Sequence, residues 1–250
     1  MNDIKDIVAD IVKHTATGFI ENVKITGTND ETVIDSIDAN RTVIIKGSLH
    51  NPVTDLSGEL GLGNLKFLKG VLNLSNYKSP DATVTVESRD KNGQTLPDRL
   101  LFKDQYGNTD NYRFMSKEII DQVLQTVKFK GAAWDVTITP TKQKLGELQS
   151  AASLYGGIEP NISLKVENSE LIISFGSNKG SFAGKRVFAE DVDGTYDEPH
   201  SWNLSKILTI LDLGMSGKKC TMSVSSLGVI QITVDSGIGE YTYILPANSI

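Results

Sequence analysis

A chain with a single cysteine can close no disulfide on itself, and Cys220 is the only one here. One thiol is also too few for a structural zinc site, and such sparing use of cysteine fits a reducing compartment. Histidine is nearly as scarce: His14, His50 and His200 are scattered without metal-ligand spacing, and none lies near Cys220 in sequence. No apolar run approaches the roughly 20 residues of a membrane-spanning helix. Met1 to Lys13 breaks its apolar positions with Asp3, Lys5, Asp6 and Asp10, so neither a membrane anchor nor a secretory leader is expected. Cations are outnumbered, 25 Lys and Arg against 31 Asp and Glu, for a net charge of −6, which argues against coating nucleic acid by bulk attraction. It leaves open a body that is acidic on one side and basic on another, because charges more than about 8 to 10 Å apart are screened at physiological salt. With 39% hydrophobic residues, 22 glycines and 7 prolines, neither a disordered nor a collagen-like class fits. The 250 residues make a soluble globular protein of one large domain or two ordinary ones.

Ile4, Ile7, Val8, Ile11 and Val12 repeat at the spacing of an amphipathic helix. After Gly18 the period shortens, and Phe19 to Thr26, Thr32 to Ile37 and Thr42 to Leu49 read as strands with turns at Thr28–Asp30 and Asp38–Asn40. Asp55 to Leu74 reads as a second helix on Leu60, Leu65, Leu68 and Leu72, although Gly58, Gly61, Gly63 and Gly70 weaken it. Strands then return at Ala82 to Ser88, Arg99 to Lys103 and Tyr112 to Met115, followed by a helical stretch from Ser116 to Thr126. The remainder repeats the scheme. Strand Trp134 to Thr139 leads to a helix at Thr141 to Tyr155 and strands at Ile162 to Val166, Leu171 to Phe175 and Lys185 to Asp191. A helix at Trp202 to Leu213 then precedes strands at Thr221 to Ser225, Val229 to Val234 and Tyr241 to Leu245. The first apolar anchors of the helices recur at nearly one offset, Ile4 against Leu145 and Leu56 against Leu204, which is the mark of a duplicated unit. The join is expected near 126 to 132, with domains of residues 1–130, including a connector at about 104–130, and 131–250.

Chemistry-bearing motifs are weak. The glycines from Gly58 to Gly63 lack both the order of a dinucleotide fingerprint and the Lys-Ser/Thr of a phosphate loop. The acidic run from Glu190 to Glu198 places Gly194 too early for a calcium loop. No carboxylate pair stands out as catalytic, and no metal or cofactor is expected.

Four segments carry a resemblance to a known family: Asp55 to Asn64 (DLSGELGLGN), Trp134 to Thr139 (WDVTIT) with the helix Lys142 to Tyr155, the hairpin Ile162 to Phe175 (ISLKVENSELIISF), and the ending Gly239 to Ala247 (GEYTYILPA). In order and spacing they are similar to the DNA polymerase sliding clamps of T-even-like bacteriophages. The resemblance implies an α+β fold of two similar clamp domains, each with two helices packed on antiparallel sheets. It also implies a head-to-tail homotrimer closed into a ring around duplex DNA, without enzymatic activity. The partners it implies are a replicative DNA polymerase and an ATP-dependent clamp loader, in the cytoplasm of an infected bacterial host, with a further role in activating phage late transcription.

On that resemblance the helices line the hole, and their lysines become the DNA-binding candidates: Lys5, Lys13, Lys66, Lys69, Lys142, Lys144 and Lys206, with Lys218 and Lys219 just beyond the last helix. Contact with phosphates would be weak and sequence-blind, which permits sliding. Asp3, Asp6, Asp10 and Glu147 on the same helices dilute the field. Clamps of this family take partner peptides in an apolar pocket by the interdomain connection, which makes Phe114, Ile119, Ile120, Tyr243, Leu245 and Pro246 the candidates for that pocket. Read from the residues alone, a structural virion protein of α+β fold and an enzyme with an unrecognised carboxylate site remain alternatives.

Overall fold

The computed structural model describes residues 3–91, 93–124, 129–176 and 182–248. It separates into two compact units, Met1–Val127 with Gly237–Tyr241, and Lys128–Ser236 with Thr242–Ile250.

In the first unit, helix α1 (Ile4–Thr15) starts where the Asp3 side chain accepts the Asp6 amide, and it buries Ile7, Val8, Ile11 and Val12. Each buried aliphatic side chain contributes about 2 kcal/mol, so this face and not helix propensity holds the segment. Strands β1 (Val23–Gly27), β2 (Thr32–Ile37) and β3 (Ile44–Leu49) form an antiparallel meander with alternate residues buried. After a 3-10 turn at Thr54–Leu56, β4 (Gly58–Leu62) pairs with the other side of β1. Helices α2 (Leu65–Leu72) and α3 (Ser75–Lys78) lead into a second sheet of β5 (Thr83–Lys91), β6 (Gln94–Lys103) and β7 (Thr109–Arg113). The two-residue β8 (Met115–Ser116) returns to β4, and helix α4 (Lys117–Val123) follows. Residues 125 and 126 of the helix expected up to Thr126 lie outside the described residues, as does part of the expected join.

The second unit opens with β9 (Val136–Ile138) and α5 (Lys142–Tyr155), then β10 (Asn161–Glu167), β11 (Glu170–Phe175), β12 (Gly184–Ala189) and β13 (Ser201–Asn203). Helix α6 (Leu204–Met215) leads to β14 (Lys219–Ser225), β15 (Val229–Asp235) and β16 (Gly239–Pro246). The two units share a plan. In one, β1 lies between β2 and β4, and β2 is followed by β3; in the other, β10 lies between β11 and β13, and β11 is followed by β12. Trp202 is fully buried, and its Nε1 donates to the Leu245 carbonyl at 3.1 Å.

One expectation is corrected. Asp55 to Leu74 is not one helix but a turn, a strand and a shorter helix. Gly58 has φ +89°, a Cβ on Gly27 would lie 2.2 Å from the Leu56 carbonyl oxygen, and a Cβ on Gly61 would meet Ile120 at 2.8 Å. These close approaches need bare backbone, and glycines cost a helix about 1 kcal/mol each, so the ladder to β1 prevails and Leu60 and Leu62 alternate inward. Smaller shifts share this origin. Tyr112 to Met115 splits into β7 and β8 because the Phe114 amide donates to the Asp98 carbonyl at 2.9 Å. Trp202 belongs to β13, since Asn203 caps α6 by accepting the Lys206 amide.

Candidate nucleic-acid interface and partner clefts

The first unit presents α1 and α2 side by side. Lys13, Lys66 and Lys69 are exposed, and Lys69 reaches across from α2 to the Ala16 carbonyl at 3.2 Å. Lys5 is half-buried, and its Nζ donates to the Ser79 carbonyl at 2.9 Å. Phe67, 48% exposed, lies among these cations. In the second unit α5 and α6 flank a shallow groove of about 460 Å³ lined by Gln149, Ser153, Thr209 and Asp212. Lys142 is exposed at the start of α5, and Lys206 is half-buried in the first turn of α6. Lys218 and Lys219 are exposed beyond α6, in the turn and the first residue of β14.

Lys144 differs from its neighbours. Its Nζ lies 2.9 Å from Glu190 and 3.9 Å from Glu147, and the hydrogen bond to Glu190 raises its pKa. Its charge is already met within the chain, so it adds little to an attractive field. Asp10 is also engaged, accepting from the Tyr241 hydroxyl at 2.9 Å, whereas Asp3, Asp6 and Glu147 are exposed. Both helix pairs therefore carry a thin scatter of cations among polar groups.

The residues expected in a partner pocket separate by burial. Ile120, Tyr243 and Leu245 are at most 2% exposed and fill the cores of their units. Ile120 sits against Gly61, and the Leu245 carbonyl holds Trp202. Phe114 is mostly buried, Pro246 is half-buried, and Ile119 is 49% exposed. Of these candidates Ile119 is the most exposed, while Ile120, Tyr243 and Leu245 pack inside the folded chain.

Two clefts instead flank α4 in the first unit. One, of about 320 Å³, has Leu60, Leu96, Pro97, Phe114 and Met115 as its apolar wall. The other, of about 270 Å³, lies among Ile37, Asp38, Arg41, Val123 and Leu124. A four-residue charge network fastens α4 between them. Lys24 lies 2.6 Å from both Glu59 and Asp121, and Lys117 bridges the same two carboxylates. Burial pulls the Lys24 pKa down, but the hydrogen bonds to Asp121 and Glu59 outweigh it and the net shift is upward. Glu59 is held below the usual carboxylate range, first by Lys117 and then by Lys24. Lys117 and Asp121 stand at i and i+4 on α4, but Lys24 and Glu59 are distant in sequence, so periodicity shows only part of this network. Among the described residues, no group of three or more His, Cys, Asp or Glu side chains is placed to hold a metal ion.

Compared by sequence, the chain matches no family model and no curated protein. Compared by structure, it is similar over its whole length to proliferating cell nuclear antigens. That of Entamoeba histolytica superposes with a TM-score of 0.70 at 11% identity, covering 98% of this chain and 96% of the other. That of A. fulgidus, bound to the C-terminal region of FEN-1, gives 0.70 at 10% identity, covering 99% and 97%. That of Thermococcus kodakaraensis gives 0.70 at 12%, covering 98% of each. The fold is the α+β clamp fold, with helices packed on antiparallel sheets.

Proposed function

We propose that this chain is the subunit of a sliding clamp, a homotrimeric ring that encircles duplex DNA, tethers the replicative DNA polymerase and has no catalytic activity of its own. The observation that carries the reading is the full-length clamp fold combined with strand edges that stay unpaired among the described residues, those of β7 and β12 among them. In the first unit the outer side of β3 is met by residues 238–241, with the His50 amide donating to the Ile238 carbonyl at 2.9 Å. The matching strand of the second unit, β12, is an edge, and so is β7. Open edges template aggregation. A second copy that lays its β7 on β12 removes both edges, and a head-to-tail contact of this kind closes into a ring when the rotation allows.

A ring holds DNA by topology, which suits the thin scatter of lysines on α1, α2, α5 and α6. Loading onto DNA then needs an ATP-dependent clamp loader to open it. Partners reach a clamp through short peptides, as the C-terminal region of FEN-1 does in the A. fulgidus protein. Here the exposed Ile119 and Val123 of α4 and the two clefts beside it are the surfaces proposed for them. The finer assignment, to a T-even-like phage acting in the bacterial cytoplasm with a role in late transcription, rests on the four sequence segments named above.

The test is mass and topology. Light scattering is expected to give three subunits, and the loaded protein is expected to stay on circular DNA and to run off after linearisation. A monomer at micromolar concentration, or retention indifferent to DNA ends, refutes the proposal.

A further inference from the structure

We propose that α4 is a releasable strap, which lifts off β1 and β4, draws Ile120 out of the notch over Gly61 and joins the two clefts beside it into one apolar groove. The inference rests on the reading of those clefts as partner sites and adds to it what regulates access to them. Every residue involved lies within the first unit.

Little besides one side chain ties α4 down. Its seven residues fall well short of the roughly 12 to 15 at which a helix holds itself in water, and no side chain caps its start. Within α4 only Ile120 is buried, and Leu124 just past its end is buried too, whereas Ile119 and Val123 are exposed. Ile120 fits because Gly61 has no side chain: a Cβ there would lie 2.8 to 2.9 Å from three Ile120 carbons. The first cleft includes Lys117 and Glu118 of α4 in its wall, and the second includes Gln122 and Val123. Ile120 stands between these positions, so the filled notch is the partition between the clefts.

The charge network marks this contact as reversible. Two of its four bridges cross from α4 to the sheet, Asp121 to Lys24 at 2.6 Å and Lys117 to Glu59. The other two do not. Lys117 lies 3.0 Å from Asp121 on α4 itself, and Lys24 lies 2.6 Å from Glu59 on the neighbouring strand. Taking one partner from an ordinary pair strands a charge, which is what makes such pairs resist parting. Here, parting α4 from the sheet leaves each side with a neutral pair of its own. What opening gives up is two partly exposed bridges, weak and screened by salt, and the burial of Ile120 and Leu124. An apolar side chain of a partner peptide entering the notch restores that burial, so Ile120 acts as an internal competitor for the groove.

Cysteine labelling tests the strap without any partner. Cys220 is buried, with its thiol pKa pushed up to about 11 by burial, and so stays silent. The full chain carrying Ile120→Cys is labelled with iodoacetamide, an uncharged reagent, at low salt and at about 1 M salt. Leu124→Cys gives the same readout if the first variant does not fold. Salt is expected to speed labelling about fivefold or more, the worth of two screened bridges. Exchanging the strap's own pair, Lys117→Asp with Asp121→Lys, keeps the net charge and the pair within α4 but sets like charges across both bridges. Labelling at low salt should then exceed that of the unexchanged chain, and added salt should slow it, because screening now removes a repulsion. A rate that neither salt nor the exchange moves, or that salt raises alike in both backgrounds, overturns the strap. Light scattering on the same samples keeps the readings apart. A monomer whose reporter responds as expected retains the strap and loses the ring, and a trimer whose reporter does not respond loses only the strap.

Discussion

Acidifying the solution from pH 7 to pH 4 is expected to cost the first unit about 3 kcal/mol through one side chain, His14, because each unit of pKa shift is worth about 1.36 kcal/mol. His14 is fully buried in the last turn of α1, its ring stacked on Tyr241 at 4.2 Å, with Asp10 3.8 Å from Nε2. Burial, and secondarily the nearby Lys13 charge, lowers its pKa from 6.5 to about 4. The folded state therefore stays neutral where the unfolded chain takes up a proton. The contribution is fully present above pH 6.5 and is lost as the pH falls from there towards 4. Urea unfolding followed by circular dichroism at pH 7 and at pH 4 measures it. The control is His14→Phe, which keeps a ring on Tyr241 and cannot titrate, so that acid effects on the many carboxylates cancel in the comparison. Wild type should lose about 3 kcal/mol more than the variant. Equal losses in the two proteins would refute the account of His14 as a histidine buried in neutral form.

Gly61→Val should drive a branched side chain into Ile120, loosen α4 and cost about 1 to 3 kcal/mol, read as a lower urea midpoint; an unchanged midpoint would mean that α4 is not packed in that notch. Charge reversal at Lys66 and Lys69 should shorten the lifetime of the loaded protein on circular DNA while leaving the light-scattering mass unaltered. Lys144→Ala should have little effect on that lifetime, since Glu190 already neutralises it, and a large loss there would overturn the ranking of the lysines.

Much of the architecture was legible in the residues because helix and strand periods are local. The stripe from Ile4 to Val12, the alternation from Thr32 to Ile37 and the recurrence of the scheme after Trp134 each follow from which side chains avoid water along a few turns or pleats. The segment from Gly58 to Leu62 is ambiguous in sequence because its leucines also fit a helical spacing. Its strand state depends on Leu56, Gly27 and Ile120, contacts that no window of sequence contains. The candidate site divides in the same way. That lysines recur on the helices could be read directly, but Lys144 is tied to a carboxylate 46 positions away (190 − 144), and Lys24 to one 97 positions away. The sequence by itself determined the alternating elements, their duplication and the types of charge on each. Only the tertiary structure decided which charges remain unneutralised, which apolar side chains are core, and which strand edges are left open, because neutralisation, burial and pairing are properties of neighbours brought together by folding.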